Sequence, residues 1–352
     1  SQLPEKLDYS GVDELYNDLK QSFDGQLDAS KLEDGLKEGL IKAAGDPYTE
    51  YLNKEDSQDF NEQLNGSFEG IGAELGKEDG SIVIVSPISG FPAETAGLRS
   101  GDVIVEINDE SAYDISVSDA VNKIRGPKGT EVKLKVSRDG KPVSLTITRD
   151  TIMLPSVEQE ITGGNIGVIT ISRFGEDTVE LAAQAANDLK SKGVKGIVLD
   201  LRGNPGGLLD AAVGVSNIWL DQGSVILQEK RDDTVIKTYR SEGPATLGGV
   251  PTVVLIDEGS ASASEIVAGA LKDNNAATIF GAKSYGKGSV QEVRDLSFGG
   301  LLKVTIARWY TPDGRNIDKH GIEPDKKVKI SDADIKAKRD TQKNRALNYL
   351  NQ

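Results

Sequence analysis

The feature that most constrains the fold is an alternation of strand-like and helix-like segments that begins at residue 164. The runs IGVITI, GIVLDL and TVVLI are short, apolar and β-rich, and helical patterns cover residues 177–191, 208–219 and 262–272. Further strand patterns, VILQE, TIFG and LKVTIARWY, continue the series. Such alternation predicts an α/β layered domain with a buried, largely parallel sheet.

Residues 67–150 differ from the rest of the chain and predict a compact, mostly β domain. Short β-rich runs, SIVIVS, DVIVEI, VKLKVS and VSLTIT, are separated by Gly, Asp and Asn turns. A short helix is expected around residues 92–96 and a longer one at 117–125, where Ser116 and Asp119 form a capping-box pattern and apolar side chains recur on one face. At 352 residues the chain is long enough for this domain beside the α/β domain.

The two ends of the chain predict charged helices. In residues 1–65, Leu15, Leu19 and Phe23 recur at a spacing of four, which is typical of a helix with one apolar face. We interpret this region as a solvated arm or an interface, and we expect a homodimer formed through the terminal helices. The expected domains are 1–65, 67–150, 151–330 and the helical tail 331–352.

Charge and composition exclude several functions. The chain carries 41 basic and 56 acidic side chains, and this net charge of −15 repels nucleic-acid backbones and anionic lipid. It has no cysteine, one histidine and no H-E-x-x-H motif, which argues against disulfides, thiol nucleophiles and a zinc centre. No run of about 18 apolar residues is present. We therefore expect no nucleic-acid partner, no membrane-spanning segment, and no metal or other cofactor.

Three alternating serines, Ser260, Ser262 and Ser264, follow the apolar strand TVVLID and precede a helical pattern. Serine in such a place is most often a helix N-cap. A nucleophilic serine instead needs an exposed hydroxyl beside the unpaired N–H groups of a helix's first turn. Ser260 is expected to precede that turn and Ser264 to lie inside it. Ser262 is therefore the best-placed nucleophile, and the N–H of Ala263 would face a developing oxyanion.

A serine nucleophile needs a base, and Lys287 is the candidate. Ser-Lys pairs are a recognised variant of the catalytic triad, and SYGKGSVQ places Gln291 four positions after Lys287, on the same face of a helix or strand. Lysine is protonated at neutral pH at its ordinary pKa of about 10.4, so it must be buried or lie near suitable dipoles. Gln291 would orient the amine without adding negative charge. The alternative is that Lys287 is a surface lysine beside flexible glycines.

The run AGLRSGDVI, within residues 86–110, resembles PDZ domains of the bacterial protease type. By this resemblance FEGIGAEL, residues 68–75, is the loop whose N–H groups hold a peptide's terminal carboxylate, and Gly70 and Gly72 would let it curl without Cβ clashes. Helix 117–125 would form the other wall of a groove where a substrate tail adds as a strand. Alternatively, the glycines are turn residues and the helix stripe is core. The expected groove residues are Gly70, Ile71, Gly72, Val117, Val121 and Ile124.

The segments GSASASEIVAGAL and GAKSYGKGSVQ resemble the active-site region of the carboxyl-terminal processing proteases, also called tail-specific proteases. DLRGNPGG at 200–207 and GDPYTEYL at 45–52 match further segments of this family in the same order, and the similarity covers residues 35–330. The resemblance implies an α/β, ClpP-like or crotonase-like core with an inserted PDZ domain and helical terminal segments.

Carried over position by position, the resemblance makes Ser262 the nucleophile, Lys287 the general base and Gln291 its orienting partner. The family's second oxyanion donor lies in the glycine loop after DLR, at Gly206 or Gly207. The resemblance implies an endopeptidase that cuts near the C-termini of proteins, with the PDZ domain binding the free tail and with no cofactor. It also implies a location outside the bacterial cytoplasm. Because the sequence begins with Ser1 and not with Met, we expect an N-terminal signal or anchor to have been removed.

Arg125 ends the predicted groove helix and directly precedes GPKG. A guanidinium at this place can bind helix carbonyls, loops of the PDZ domain or the protease domain. Alternatively, it is an ordinary positive charge at a helix C-terminus. We regard Arg125 as a candidate regulatory residue that couples tail capture to the active arrangement of the protease core. The single histidine, His320, is expected to be structural.

Three other functions compete with this interpretation. GAKSYGKG at 281–288 nearly matches the phosphate-binding loop of nucleotide hydrolases, but Gly288 replaces the required Ser or Thr. SYGK at 284–287 fits the S-x-x-K of penicillin-recognising enzymes, but the glycines at 286 and 288 disfavour a helix there. The third alternative is a PDZ scaffold with an inactive protease core, and the intact set of predicted catalytic residues argues against it.

Overall fold

The computed structural model describes residues 3–352, which divide into two compact units. One unit consists of the residues up to Ser57 together with Val290–Ile306, and the other of Gln58–Ser289 with Ala307–Gln352. A late segment of the chain thus belongs with the N-terminal region, which the division along the sequence does not anticipate. Within residues 3–352, no helix combines the length and the apolar character needed to cross a membrane.

The first unit is largely helical, and its helices keep apolar side chains at the surface. Its N-terminal elements are α1 (Ser10–Ser22), α2 (Ala29–Ala43), β1 (Glu50–Leu52) and the start of α3 (Lys54–Asn65). Neither α1 nor α2 contains a buried residue. Leu15, Phe23, Leu36 and Leu40 are between 53% and 61% exposed. The helices expected in this region are confirmed, and β1 is an addition to them.

The second unit begins with the predicted β domain. Its elements are β2 (Ser67–Gly70), β3 (Ala73–Glu78), β4 (Ser81–Pro87), α4 (Pro92–Thr95), β5 (Val103–Ile107), β6 (Glu110–Ser111), α5 (Val117–Ile124), β7 (Glu131–Arg138), β8 (Lys141–Thr148) and β9 (Asp150–Met153). Five antiparallel strands pair in the order β3-β4-β5-β7-β8, β6 pairs with β5, and β2 pairs with β9. The capping box formed by Ser116 and Asp119 is present, and Ala120 and Ile124 of α5 join the apolar core of this domain.

The remaining elements form the α/β domain and its extensions. They are β10 (Val157–Thr162), β11 (Ile166–Ile171), α6 (Thr178–Ser191), β12 (Gly196–Asp200), α7 (Leu209–Ser216), β13 (Val225–Arg231), β14 (Thr234–Arg240), β15 (Thr252–Ile256), α8 (Ala263–Asp273), β16 (Thr278–Gly281), β17 (Ser289–Asp295), β18 (Leu301–Tyr310), β19 (Lys326–Lys327), α9 (Asp332–Lys336) and α10 (Thr341–Leu350). The main sheet has the order β10-β11-β12-β15-β16-β19. Only β10 is antiparallel to its neighbour, and every residue of β12 and β15 is buried. The expected buried, largely parallel sheet is confirmed.

Helices cover both faces of this sheet. On one face, Val198 and Val253 share an apolar cluster with Ala346 of the C-terminal helix α10. On the other face, Gly167 makes room for α6, because a Cβ at this glycine would lie only 2.9 Å from a side-chain methyl of Leu189. The charged C-terminal segment is therefore part of the packing of the core, and its apolar face is covered.

Two predicted strands, β13 and β18, lie outside the main sheet and belong to a second, antiparallel sheet. β13, which contains VILQE, pairs antiparallel with β14 and with residues 308–310 of β18. β14 is mostly exposed, as expected for an antiparallel ribbon and not for a strand of a buried parallel sheet. Within the first unit, β1 pairs antiparallel with residues 301–303. The predicted helix 208–219 is shorter than expected and ends at Ser216.

Candidate active site

Of the three alternating serines, Ser260 and Ser262 lie in the turn between β15 and α8 and Ser264 lies in the first turn of α8, and their environments differ. Ser260 is completely buried, and its hydroxyl donates to the carbonyl of Leu201 (2.8 Å). Ser264 is also completely buried, and its hydroxyl donates to the carbonyl of Asn204 (2.9 Å). Ser262 is partly exposed and directly precedes α8. The flanking serines therefore fix the turn, and Ser262 has the accessible surface that a nucleophile needs.

The backbone of Ser262 has φ +52° and ψ −113°, which is unusual for a residue with a Cβ atom. Its N–H donates to the carboxylate of Glu265 (2.9 Å), and its carbonyl accepts from the N–H of Ile266 (3.0 Å). A non-glycine residue in such a conformation costs about 1–3 kcal/mol and persists only where neighbouring bonds impose it. Sharp strand-to-helix turns of this kind present a nucleophilic side chain at the end of a sheet.

The glycine loop after β12 lies against this turn. The side chain of the completely buried Asn204 donates to the carbonyl of Ile171 (2.7 Å) and accepts from the N–H of Gly206 (2.9 Å). Its main-chain carbonyl accepts from the N–H of Ala261 (3.0 Å). Gly206 has φ +103°, and a Cβ there would lie 2.8 Å from the Cβ of Ser262. The missing side chain at Gly206 therefore allows the loop to approach the predicted nucleophile.

Gly206 and Gly207, the two candidates for the second oxyanion donor, have different hydrogen bonds. The N–H of Gly206 is bound to Asn204. Gly207 forms a parallel bridge with Phe174, whose N–H donates to the carbonyl of Gly206 (2.9 Å) and whose carbonyl accepts from the N–H of Leu208 (2.8 Å). In this pattern the N–H of the intervening Gly207 points away from Phe174. The geometry favours Gly207 as an oxyanion donor.

Glu265, in the first turn of α8, connects the predicted nucleophile to the segment that carries Lys287. Its completely buried carboxylate accepts four hydrogen bonds. Oε2 accepts from the N–H groups of Ser262 (2.9 Å) and Lys287 (3.0 Å), and Oε1 accepts from the N–H of Gly286 (2.7 Å) and the hydroxyl of Ser284 (2.5 Å). Burial raises the pKa of the Glu265 carboxyl, and these four bonds oppose the shift. Because all four neighbours are donors, the ionised carboxylate is the form that satisfies them.

Lys287 lies between β16 and β17, in a segment that is neither helix nor strand, and is partly buried. Its carbonyl accepts from the indole N–H of Trp309 (2.9 Å), and the carbonyl of Gly288 accepts from the main-chain N–H of the same residue (3.0 Å). A strand begins at Ser289, so no helix follows this segment. The phosphate-loop and S-x-x-K interpretations both require a helix here and are therefore wrong.

Gln291 belongs to the first compact unit. Its side-chain amide donates to the hydroxyl of Thr305 (3.3 Å), which in turn donates to the carboxylate of Asp46 (2.5 Å). The hydroxyl of Thr49 donates to the same carboxylate (2.6 Å). Burial raises the pKa of the Asp46 carboxyl, but these hydrogen bonds outweigh burial and lower it. The GDPYTEYL segment thus fixes the hydroxyl to which the Gln291 amide binds.

Most of the predicted groove residues converge on one cavity of about 90 Å³ in the β domain. Its lining consists of Phe68, Gly70, Ile71, Gly72, Ala73, Leu75, Val121, Ile124 and Arg125. Val117 packs against the core of the domain and is not among these residues. Gly72 has φ +74°, and a Cβ there would lie 2.6 Å from Phe91. A Cβ at Gly70 would make only ordinary contacts, so the predicted need for glycine is correct at Gly72 and wrong at Gly70.

Arg125 is the C-terminal cap of α5, and its guanidinium lies over the ring of Phe68, 4.6 Å from the centroid. The last carbonyls of the helix are bound by another residue: Arg149 donates to the carbonyls of Ile124 (2.7 Å) and Lys123 (3.4 Å). Of the partners expected for Arg125, the helix carbonyls are thus bound by Arg149 instead, and the observed contact is with Phe68 of strand β2 and not with a loop.

Two residues of this site, Asn204 and Glu265, are absent from the sequence-based prediction. A signal for Glu265 is present, because Ser262 and Glu265 have the S-x-x-E spacing of a capping box. That spacing predicts a bond within α8, but it carries no information about Lys287. Asn204 lies inside the DLRGNPGG segment, where it reads as an ordinary turn residue.

Comparison with known families gives two matches in this chain. Residues 165–328 match peptidase family S41, and residues 59–137 match the PDZ domain. The chain is 40% identical to the carboxy-terminal processing protease CtpA of Bacillus subtilis (strain 168) over 325 residues, which are 92% of this chain and 70% of that protein. It is 41% identical to a probable CtpA-like serine protease of Staphylococcus aureus (strain COL), covering 89% of this chain and 63% of that protein.

Solved structures share the fold. The photosystem II D1 C-terminal processing protease is 29% identical with a TM-score of 0.55, covering 92% of this chain and 87% of that one. A putative S41 protease from Bacteroides fragilis is 16% identical with a TM-score of 0.59, covering 95% of this chain and 94% of that one. These likenesses confirm the predicted α/β architecture.

Proposed function

Because this chain belongs to peptidase family S41, we propose that it is a serine endopeptidase that cleaves proteins near their C-termini. One observation carries the proposal: Ser262 is partly exposed, lies beside the glycine loop, and is joined through Glu265 to the segment of Lys287. Two similar proteins are named for carboxy-terminal processing, which supports the same cut site. We assign Ser262 as nucleophile, Lys287 as general base and Gln291 as the residue that orients Lys287.

In the proposed mechanism, neutral Lys287 takes the proton of the Ser262 hydroxyl as its oxygen attacks the scissile carbonyl carbon. The oxyanion is bound by the N–H groups of Ala263, at the start of α8, and of Gly207. The N–H of Ser262 itself has no such role, because it is bound to Glu265. The protonated lysine then donates a proton to the leaving amine. A water deprotonated by Lys287 hydrolyses the acyl-enzyme, and no metal or nucleotide is required.

The PDZ domain is proposed to hold the free C-terminal tail of the substrate. The main chain of residues 70–72 offers N–H groups to the terminal carboxylate. The adjoining cavity of about 90 Å³ is mostly aliphatic, and it would receive the last side chain. A space of this size suits a small or medium apolar side chain such as that of alanine or valine.

A test protein ending in valine should be cleaved faster, by roughly 10- to 100-fold at low concentration, than the same protein with an amidated C-terminus. Amidation removes the charge from two or three hydrogen bonds, and a hydrogen bond to a charged group contributes about 1.5–3 kcal/mol. Mass spectrometry of the digests reports the cut site and the dependence on the tail together. A version ending in tryptophan should be slow as well. Equal cleavage of all three proteins would contradict the role of the PDZ domain but not the peptidase assignment.

A fluorophosphonate probe distinguishes a peptidase from a PDZ scaffold with an inactive core. The probe labels serines whose hydroxyl is activated by a neighbouring base. In the peptidase, the label should appear on the peptide that contains Ser262. A folded chain that binds C-terminal peptides and takes up no label would support the scaffold.

We further propose that Arg125 couples tail capture to the protease core. Its guanidinium lines the cavity that would receive the tail and stacks on Phe68. A bound tail would therefore contact Arg125 and favour one of its arrangements.

Arg125→Ala should lower cleavage of tailed proteins by roughly 5- to 150-fold at saturating substrate, the usual range of coupling between two sites. Saturating substrate separates this effect from a loss of tail affinity. Lys123→Ala is the matched control, since Lys123 lies on the same helix and pairs with Glu110 at the surface. Unchanged cleavage by Arg125→Ala would remove this residue from the mechanism.

We also propose that the chain forms a homodimer through its N-terminal helices. The apolar side chains of α1 and α2 are largely exposed, whereas α10 is packed on its own core. Sedimentation of the whole chain tests the proposal, and a monomer at every assay concentration would contradict it. A location outside the bacterial cytoplasm is likewise proposed from the resemblance, and cell fractionation tests it.

A further inference from the structure

We propose that Glu265 is a positioning residue that fixes the nucleophile and the base relative to each other. The proposal rests on the assignment of Ser262 and Lys287 given above. A single oxygen, Oε2, accepts from the main-chain N–H groups of both residues, at 2.9 Å and 3.0 Å. The two nitrogens cannot be farther apart than the sum of these distances. One buried oxygen thus sets the spacing of two residues that are far apart in the sequence.

The other oxygen of Glu265 anchors the segment that carries Lys287. Oε1 accepts from the N–H of Gly286 (2.7 Å) and the hydroxyl of Ser284 (2.5 Å). Ser284 is held in turn by Ile322, whose N–H donates to the Ser284 hydroxyl (2.6 Å). Residues 283–288 lie in neither a helix nor a strand, so no regular ladder of hydrogen bonds fixes them. Individual hydrogen bonds fix them instead: those to Glu265, those from Trp309 to the carbonyls of Lys287 and Gly288, and main-chain bonds such as that from the N–H of Tyr285 to the carbonyl of Ser260 (2.9 Å). Among these, the bonds to Glu265 connect the segment to the N–H of Ser262 through one carboxylate.

This arrangement goes beyond an ordinary helix cap. A capping box consists of two reciprocal bonds between the cap and the third residue of the helix, here Ser262 and Glu265, and it uses only one of the four bonds that the Glu265 carboxylate accepts, the one from the N–H of Ser262. The other three donors to Glu265 belong to residues 284–287. Asp334 occupies the same position in the capping box of α9, but the donors to its carboxylate, Ser331 and Arg339, are nearby in sequence. Asp334 therefore offers a matched buried carboxylate that caps a helix and pairs with the nearby Arg339 but connects no distant segment.

Glu265→Gln keeps the shape of the side chain but replaces one acceptor oxygen with a donor NH₂ group. Each oxygen of Glu265 faces two donors, so this NH₂ group must face donors in either orientation and push them away. The consequence is a displacement of Lys287 relative to Ser262. A misplacement of about 1 Å at a reacting group costs on the order of 10²-fold in rate. We expect kcat to fall by about 10²-fold while KM changes little, because the tail is bound elsewhere.

The experiment compares Glu265→Gln and Asp334→Asn with the wild type in the whole chain. It measures kcat and KM on the valine-ended test protein, thermal unfolding, and fluorophosphonate labelling. Asp334→Asn should lower the unfolding temperature and leave kcat unchanged. Glu265→Gln should lose kcat and labelling rate at temperatures where it is fully folded. A folded Glu265→Gln with the kcat of the wild type would show that Glu265 only caps the helix, and would overturn the proposal.

If Glu265→Gln does not fold, Glu265→Asp replaces it in the same comparison. The shorter side chain keeps the charge but cannot reach Ser262 and Lys287 as before, so a folded Glu265→Asp should still lose kcat. A wild-type kcat in this variant would equally overturn the proposal. Failure of the proposed function gives a different result: the wild type itself would show no label on Ser262 and no cleavage.

Discussion

Ser262→Ala should lower kcat by roughly 10⁴- to 10⁶-fold, to the residual level that the oxyanion donors and substrate binding provide. The hydroxyl is the atom that forms the acyl-enzyme, and no other group in the proposed mechanism can replace it. The fold should be retained, because the side chain is partly exposed and alanine keeps the main-chain bonds to Glu265 and Ile266. Mass spectrometry of the digest measures the residual cleavage.

Ser264→Ala is the matched control for this variant. It removes a buried hydrogen bond to the carbonyl of Asn204 and should cost about 1 kcal/mol of stability while leaving the nucleophile in place. We therefore expect a lower unfolding temperature and substantial cleavage. The reverse pattern, an active Ser262→Ala beside a folded but inactive Ser264→Ala, would identify Ser264 as the nucleophile.

Lys287→Ala should lower kcat by roughly 10²- to 10⁴-fold, the usual contribution of a general acid–base, while KM changes less. The main-chain bonds of residue 287 to Glu265 and Trp309 do not involve its side chain and should keep the segment in place. Lys283→Ala is the control, because Lys283 is exposed in the same segment and pairs with Glu323. It should cleave at the rate of the wild type.

The dependence on pH gives a second measurement on the Lys287→Ala variant. Only the neutral amine accepts a proton from Ser262, so the kcat/KM of the wild type should rise with pH until Lys287 is deprotonated. Lys287→Ala should lose this rise along with its activity. Near-wild-type turnover with the same pH profile would show that another group is the base.

Features that depend on residues close together in the chain were predictable from the amino-acid sequence. The strand, turn and helix around Ser262 follow from an apolar run, a glycine and a helical period within 252–273. The capping box at Ser116 and Asp119 and the positive φ of Gly72 are equally local. Hydrogen bonds and steric limits within a few residues set such features, so the pattern of residue types is sufficient to predict them. The resemblance to a protease family then proposed which of these residues take part in catalysis.

How distant segments meet became clear from the folded chain. It buries Ser260 and Ser264 and leaves Ser262 partly exposed, because the carbonyls of Leu201 and Asn204 arrive from another strand's end. In the folded chain the N–H of Gly206 donates to the side chain of Asn204, whereas the N–H of Gly207 points away from Phe174. The motif GNPGG alone does not show this difference between the two glycines.

Contact between distant segments also explains why Glu265 cannot be recognised from the sequence as the link between the proposed nucleophile and base. Its S-x-x-E spacing has the same form as any helix cap, and the donors of residues 284–287 reach it only once β15, α8 and β16 have packed together. Two other features also depend on contacts between distant segments: Val290–Ile306 belongs with the N-terminal residues, and α10 packs on the main sheet. Contacts between segments far apart in the chain depend on the packing of the whole fold, which no local pattern of residues encodes.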